Sequence, residues 1–191
     1  MTNRFSFRGL ARHFFSLKSL LACCLLLCAT VIILTAQSNS VSAGGNWREY
    51  DSEDKMTAAR RVQFELPADN TLRGDQYYQP RVQLYCENGN LKSSEFDPGI
   101  HLAPPNRPGF WGQPQMEVRV RVNNSHSSHG WNWNGRSLSM DKGTTREILG
   151  AEVFKIEFLA ARSGPQIAEF SPSGIYLDRV AKACGLSPKK P

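Results

Sequence analysis

Met116-Glu117-Val118-Arg119-Val120-Arg121-Val122 places an apolar side chain at every second position and a charged one between. Side chains of a strand point alternately to its two faces, so the stretch reads as a half-buried β-strand with valines inward and arginines in water. Phe154, Ile156 and Phe158 alternate with Lys155 and Glu157 in the same way, as Val82, Leu84 and Cys86 do with Arg81, Gln83 and Tyr85. After Cys86, Glu87-Asn88-Gly89-Asn90 turns the chain into a return strand from Leu91 to Phe96, Asn-Gly being the dipeptide that tight hairpins favour.

A further alternating run sets Met56, Ala58, Val62, Phe64 and Leu66 against Lys55, Thr57, Arg61, Gln63 and Glu65, and weaker strands are predicted at Ile100 to Ala103, Arg136 to Met140 and Gln166 to Phe170. Short strands at this spacing, with no long helix between them, predict a mainly β fold, an antiparallel β-sandwich or barrel-like sheet. Two helical pieces carry their own punctuation. Thr144 with Glu147 three residues on is a capping-box spacing and Gly150 ends the turn, which predicts a short helix over 144–149. Near the end, Ser171 or Ser173 offers an N-cap, Pro172 suits a first turn and Gly185 stops the helix, while Leu177, Val180, Ala181 and Cys184 share one face. A carboxy-terminal helix packed on the sheet follows.

Residues 1–43 form an export segment: Arg4, Arg8, Arg12 and Lys18 make a basic leader without an acid, and Ser19 to Ala36 is almost wholly apolar. Val41-Ser42-Ala43 offers small side chains where a signal peptidase reads, which makes Gly44 the expected new amino terminus. The competing reading is an uncleaved membrane anchor, since the apolar run of about 18 residues reaches the lower limit for a span. Leu20-Leu21-Ala22-Cys23 is no lipoprotein box, because it opens the apolar run instead of closing it. The expected organisation is a signal peptide or anchor over 1–43, one β-rich domain over 44–186 and a disordered polar tail over 187–191, placed in the periplasm or secreted, or held at the membrane through 19–36.

Three of the five cysteines, Cys23, Cys24 and Cys28, lie in the apolar segment. Cys86 and Cys184 remain, and in an oxidising compartment they make one bridge between the inward faces of a strand and the last helix. The formal charge of +6 overstates any attraction for polyanions. The leader holds four of the 23 cations and none of the 17 acids, so the domain carries +2 and no nucleic acid partner is expected.

Candidate chemistry is sparse. His126 and His129 lie in a serine- and asparagine-rich stretch, and their spacing of three could bring two imidazoles to one metal ion. Zinc sites take three or four protein ligands, and neither Asp141 nor His101 stands at a diagnostic spacing, so a solvated loop accounts for the stretch and no metal or other cofactor is expected. There is no Gly-x-Ser-x-Gly elbow, no His-Glu-x-x-His helix and no free cysteine nucleophile. A hydrolase would need a constellation assembled from distant residues, with His126 or His129 within reach of an acid and a nucleophile, and the chain is not expected to be an enzyme. Asp51, Glu53 and Asp54 read as a solvated charged run. The aromatic residues are more informative: Trp131-Asn132-Trp133-Asn134-Gly135, and Phe110-Trp111-Gly112 in a loop with Pro104, Pro105, Pro108 and Pro114. Alternation puts Trp131 and Trp133 on one side. Facing outward they make a binding platform with Asn132 and Asn134, and facing inward they are core.

Trp47 followed by Asp51 and Asp54, Pro80-Arg81-Val82-Gln83-Leu84-Tyr85-Cys86, the Val118 to Val122 strand, the Trp131 to Trp133 region, and Phe170-Ser171-Pro172-Ser173-Gly174 leading to Cys184 together resemble the VasI-like domain, a periplasmic accessory protein of type VI secretion systems. The resemblance covers the mature chain, and the proline-rich stretch around Trp111 and the histidine-serine stretch depart from it. It implies an exported β-rich protein without a catalytic centre. The expectation is a non-catalytic accessory or interaction module that binds an envelope protein, the alternative being a cell-wall glycan held by Trp111, Trp131 and Trp133. A hydrolase or metal-binding protein using His126 and His129 ranks below both.

Overall fold

The computed structural model describes residues 40–72 and 78–188. In chain order the elements are β1 (Ser40–Gly44), β2 (Trp47–Glu53), β3 (Arg60–Pro67), β4 (Arg81–Glu87), β5 (Asn90–Asp97), β6 (Arg107–Pro108), β7 (Pro114–Val122), β8 (Ser125–Trp133), β9 (Leu138–Ser139), α1 (Lys142–Ile148), β10 (Phe154–Ala160), β11 (Gly164–Phe170) and α2 (Leu177–Cys184). All strands join one antiparallel sheet in the order β1-β2-β3-β4-β5-β9-β8-β7-β10-β11, with β6 paired to the start of β7. The expected fold is the observed one: mainly antiparallel β, with a short helix and a carboxy-terminal helix.

Alternation carries the core. Met116, Val118 and Val120 of β7 and Phe154, Ile156 and Phe158 of β10 are buried, while Arg119 and Glu157, register partners, form an ion pair on the other face. Phe96 of β5 meets Phe158 and Phe170 edge to face, at centroid distances of 5.1 and 6.3 Å, so residues from distant strands share one apolar interior. Asn88 and Gly89 take positive φ in the β4–β5 turn, as the Asn-Gly pair requires.

The far edge of the sheet is not left open. Leaving β3, the chain reaches β11: the Asp69 N–H donates to the Glu169 carbonyl (2.7 Å), the Asn70 side-chain amide donates to the Ile167 carbonyl (2.9 Å), and the Asn70 side-chain oxygen accepts from the Glu169 N–H (2.9 Å). Ser171 adds a bond to the Asp69 carboxylate (2.7 Å). The sheet thus curls until its last strand meets the continuation of its third, which gives it barrel-like closure. The β1–β2 hairpin lies outside that ring and packs on the connector after β11. The Trp47 indole donates to the Pro172 carbonyl (2.9 Å), the Tyr176 N–H donates to Ala43 (2.9 Å), and Gly44 and Gly45 approach so closely that a Cβ on either would fall 2.1 Å from the Gly174 or Ser173 carbonyl. Only glycine fits there, at φ of 93° and 57°.

Several local expectations are corrected. The strand expected from Lys55 starts only at Arg60, because the Asp54 carboxylate accepts from the Met56 and Thr57 N–H groups and makes a turn that leaves Met56 exposed. Ile100 to Ala103 is irregular, with a single bridge from Leu102 to Ala160. The charged run after Trp47 is strand β2, whose Glu49 is buried and held by Arg179 of α2 through Nε at 3.0 Å and Nη2 at 2.7 Å. The histidine-serine stretch is not a loop but most of β8. Asp141, not Thr144, caps α1. Helix α2 starts after Tyr176 with no side-chain cap, and its Leu177 is exposed, so Val180 and Cys184 form the inward face.

The domain also begins ahead of Gly44, since β1 pairs with β2 and Ala43 is buried; a chain cut between Ala43 and Gly44 would lack that strand. The leader, the apolar run, its three cysteines and the tail from Lys189 lie outside the described residues. Leu186, beyond α2, is buried.

Cys86 and Cys184 are bonded, with both residues buried and their Cα atoms 4.9 Å apart across a sequence separation of 98. The bridge fastens the inward face of α2 to β4. A closed loop of that size stabilises by about 4 to 5 kcal/mol in the chain-entropy account. Cys86→Ser is expected to lower the melting temperature under non-reducing conditions by well over 10 °C, and an unchanged midpoint would deny the bridge its structural role.

Candidate functional site

The expected aromatic platform separates once the strands are placed. Trp131 pairs with Met116 on the inward side of β8, is 1 % exposed, and donates its indole N–H toward the Asp141 carboxylate at 3.4 Å. Trp133, two residues on, is half-buried against the core, with its indole N–H buried and unpartnered. Asn132 faces outward and accepts from the Gln115 amide (2.9 Å), while the Asn134 side chain accepts from the Ser137 N–H (2.8 Å) and hydroxyl (2.9 Å) and so shapes a turn. These four residues therefore serve the sheet and its turn, and they do not form a row of exposed indoles.

Trp111 is the exception. It stands with Phe110 at the tip of the β6–β7 hairpin, 81 % and 89 % exposed, the two rings edge to face at a centroid distance of 4.8 Å. Proline and glycine build that tip: Pro108 and Pro114 flank it, and Gly112 takes φ of 79° at the turn. The Gly109 N–H donates to Gln113 (2.8 Å), the Gly112 N–H to Gly109 (3.0 Å), and the Trp111 N–H to the Gln113 side chain (3.1 Å). The aromatic pair is thus displayed on an ordered turn.

Strand register places two other turns at the same end of neighbouring strands, since Asn132 pairs with Gln115 and the β10–β11 turn closes at Ala160 and Gly164. Arg107 on β6, Arg136 after β8 and Arg162 after β10 are exposed there. Most arginines of the sheet are paired: Arg60 with Asp51, Arg61 with Asp54 and Glu87, Arg81 with Asp97, Arg119 with Glu157. None of the three at this end has a carboxylate partner among the described residues.

His126 and His129 point to opposite faces of β8, because three is an odd spacing on a strand. They cannot share a metal ion, and no cluster of three metal-ligating side chains occurs among the described residues. His129 instead lies between Ser127, whose hydroxyl is 2.7 Å from Nε2, and Asp141, whose carboxylate is 3.2 Å from Nδ1. Asp141 is fixed as the N-cap of α1, accepting from the Thr144 N–H (2.8 Å) and hydroxyl (2.7 Å). Burial pushes its carboxyl up, but the two bonds from Thr144, the neighbouring imidazole and the Trp131 N–H outweigh that and hold it below the usual carboxylate range. The contribution is therefore complete above the ordinary carboxylate pKa and is lost as pH falls through the depressed one. Reading the stretch as a loop hid the arrangement; the spacing of two between Ser127 and His129, on a strand, was the available signal.

The fold and these surfaces define a disulfide-tied, mainly antiparallel β domain with one exposed aromatic tip. No family model matches the chain, and no curated protein matches it. Among solved structures, the chain is similar to the crystal structure of invasion associated protein B from Bartonella henselae, at 13 % identity and a TM-score of 0.44, over 72 % of this chain and 90 % of that one. Nothing in these comparisons connects the chain with the VasI-like domain or with type VI secretion. Among the described residues no helix is long and apolar enough to cross a membrane, and the disulfide is of the kind an oxidising compartment forms.

Asp141→Ala removes the cap of α1 and is expected to cost about 1 kcal/mol, read as a lower melting temperature at neutral pH, whereas Asp141→Asn keeps a capping oxygen and loses less. Equal losses for the two variants would show that the capping bonds do not carry the effect.

Proposed function

We propose that this domain is an exported interaction module that docks a protein of the cell envelope through the tip of its β6–β7 hairpin. The observation that carries the reading is the exposure of Phe110 and Trp111 together on an ordered turn. Two large aromatic rings held in water leave apolar area for a partner to cover, and tryptophan and arginine are the residues on which interface energy concentrates. The turn is held by its own hydrogen bonds, so little ordering entropy is lost on docking. Arg107, Arg136 and Arg162 give the same end unpaired positive charge, which suits a partner with an acidic rim.

The glycan alternative loses its main support with Trp131 in the core, because a sugar platform needs more than one adjacent indole face. A place among type VI secretion accessory proteins rests on the resemblance of the quoted residues and is the finer form of the proposal. Export, by a cleaved signal or a retained anchor, rests on the leader and on the disulfide.

A photoreactive benzoylphenylalanine at position 110 of the full chain is expected to yield a discrete crosslinked adduct in intact cells, lost when Trp111→Ser is added, while the same group at the exposed Val153 yields none. Phe110→Ser with Trp111→Ser should leave the melting temperature unchanged, as expected of side chains without core contacts. Absence of an adduct at 110, or equal crosslinking from 153, would contradict the proposal.

A further inference from the structure

Beyond docking, we infer that Ser127, His129 and Asp141 form a solvent-facing acyl-transfer triad, with the Ser127 hydroxyl as nucleophile toward small carboxylic esters. The arrangement has the required order and the required atoms. The Ser127 oxygen lies 2.7 Å from His129 Nε2, and the opposite ring nitrogen, Nδ1, lies 3.2 Å from the Asp141 carboxylate. That is the relation of nucleophile, base and orienting acid that defines such a triad, independent of its order in the chain.

Each member is positioned by a separate feature of the fold. Ser127 and His129 are two apart on β8, so their side chains rise from one face of one strand. Asp141 comes from the loop between β9 and α1 and is immobilised by Thr144 and Trp131, which leaves an oxygen facing the imidazole. Ser127 is exposed and His129 is partly exposed, so ester and water both reach them. Two concavities lie elsewhere, around Asp51 with Arg60 and around Asn88 with Lys182. The nucleophile stands exposed on its strand, which is why the substrate class is the small, reactive ester approaching from open solvent.

In the first half-reaction the Ser127 oxygen attacks the ester carbonyl carbon and its proton passes to His129 Nε2. The bond to the leaving alcohol breaks, and that alcohol takes the proton from His129. In the second, water attacks the acyl-serine carbonyl and gives its proton to His129. The acyl bond breaks, the serine oxygen is reprotonated, and a carboxylic acid leaves. Ser127 and His129 are the catalytic residues. Asp141 is a positioning residue that keeps the ring proton on Nδ1 and so presents a lone pair at Nε2.

The test uses the purified, oxidised domain and a fluorophosphonate, which transfers its phosphonyl group to an activated serine with loss of fluoride, followed by peptide mapping. Labelling is expected at Ser127, to disappear in Ser127→Ala, and to slow by about 10²-fold or more in His129→Gln, the range that a general base supplies. Hydrolysis of p-nitrophenyl acetate should fall in parallel. Asp141→Asn retains a helix cap but is expected to move the His129 ring proton toward Nε2, visible in the ¹⁵N spectrum of the imidazole, and to slow labelling with the domain still folded by circular dichroism. Failure of Ser127 to label, labelling spread evenly over other serines, or an unchanged rate in His129→Gln would overturn the triad. None of these outcomes bears on crosslinking from the aromatic tip.

Discussion

A sheet whose path runs through ten strands has two edges, and the structure depends on how the second of them is closed. Asp69 and Asn70 act there as a fragment of strand: one backbone N–H and one side-chain amide reproduce, against Ile167 and Glu169, the bonds a neighbouring strand would make. Because the fragment belongs to the connection after β3, the closure joins β11 to the part of the sheet that holds Phe64 and Leu84, and the phenylalanines of β5, β10 and β11 are enclosed as one core. The β1–β2 hairpin and α2 are added to that ring. Their attachments are the glycine contacts at Gly44 and Gly45, the bond from Trp47, the Glu49–Arg179 ion pair and the disulfide.

The strands with an apolar face were legible in the sequence because their burial is one-sided, and β4, β5, β7, β10 and β11 fall where alternation puts them. Strand β8 was not, since its first five residues are serine and histidine on both faces: on the side of Ser127 and His129 it meets Asp141 instead of packed hydrocarbon. Strand β2 escaped for a related reason. Its inward side includes Glu49, which reads as solvated until Arg179, 130 residues away, supplies the charge that allows burial. A carboxylate paired at that separation leaves no local pattern. The closure at Asn70 is likewise invisible to periodicity, because the residue stands in for a strand without being in one.

Of the candidate site, alternation told that Trp131 and Trp133 share a side but not which side is the core. The packing of Met116 opposite Trp131 decides it. Trp111 differs in being held by turn residues, Pro108, Gly112 and Pro114, and nothing in that turn brings it back to the sheet. The aromatic tip and the Ser127–His129–Asp141 cluster are then separate features built around β7, the tip on the β6–β7 hairpin and Ser127 and His129 on β8: the tip precedes Pro114, while Ser127 pairs with Val120, about 20 Å farther along β7. A surface for capture and a nucleophile can coexist along that strand without sharing residues.

The most direct test of the closure is amide hydrogen exchange of the oxidised domain, resolved at Asp69 and Glu169. Both N–H groups donate across the β3–β11 junction, so they are predicted to exchange slowly, with protection close to that of the buried β10 amides. Exchange as fast as that of the exposed turn at Met56 would mean that β11 is an open edge and that the sheet does not close.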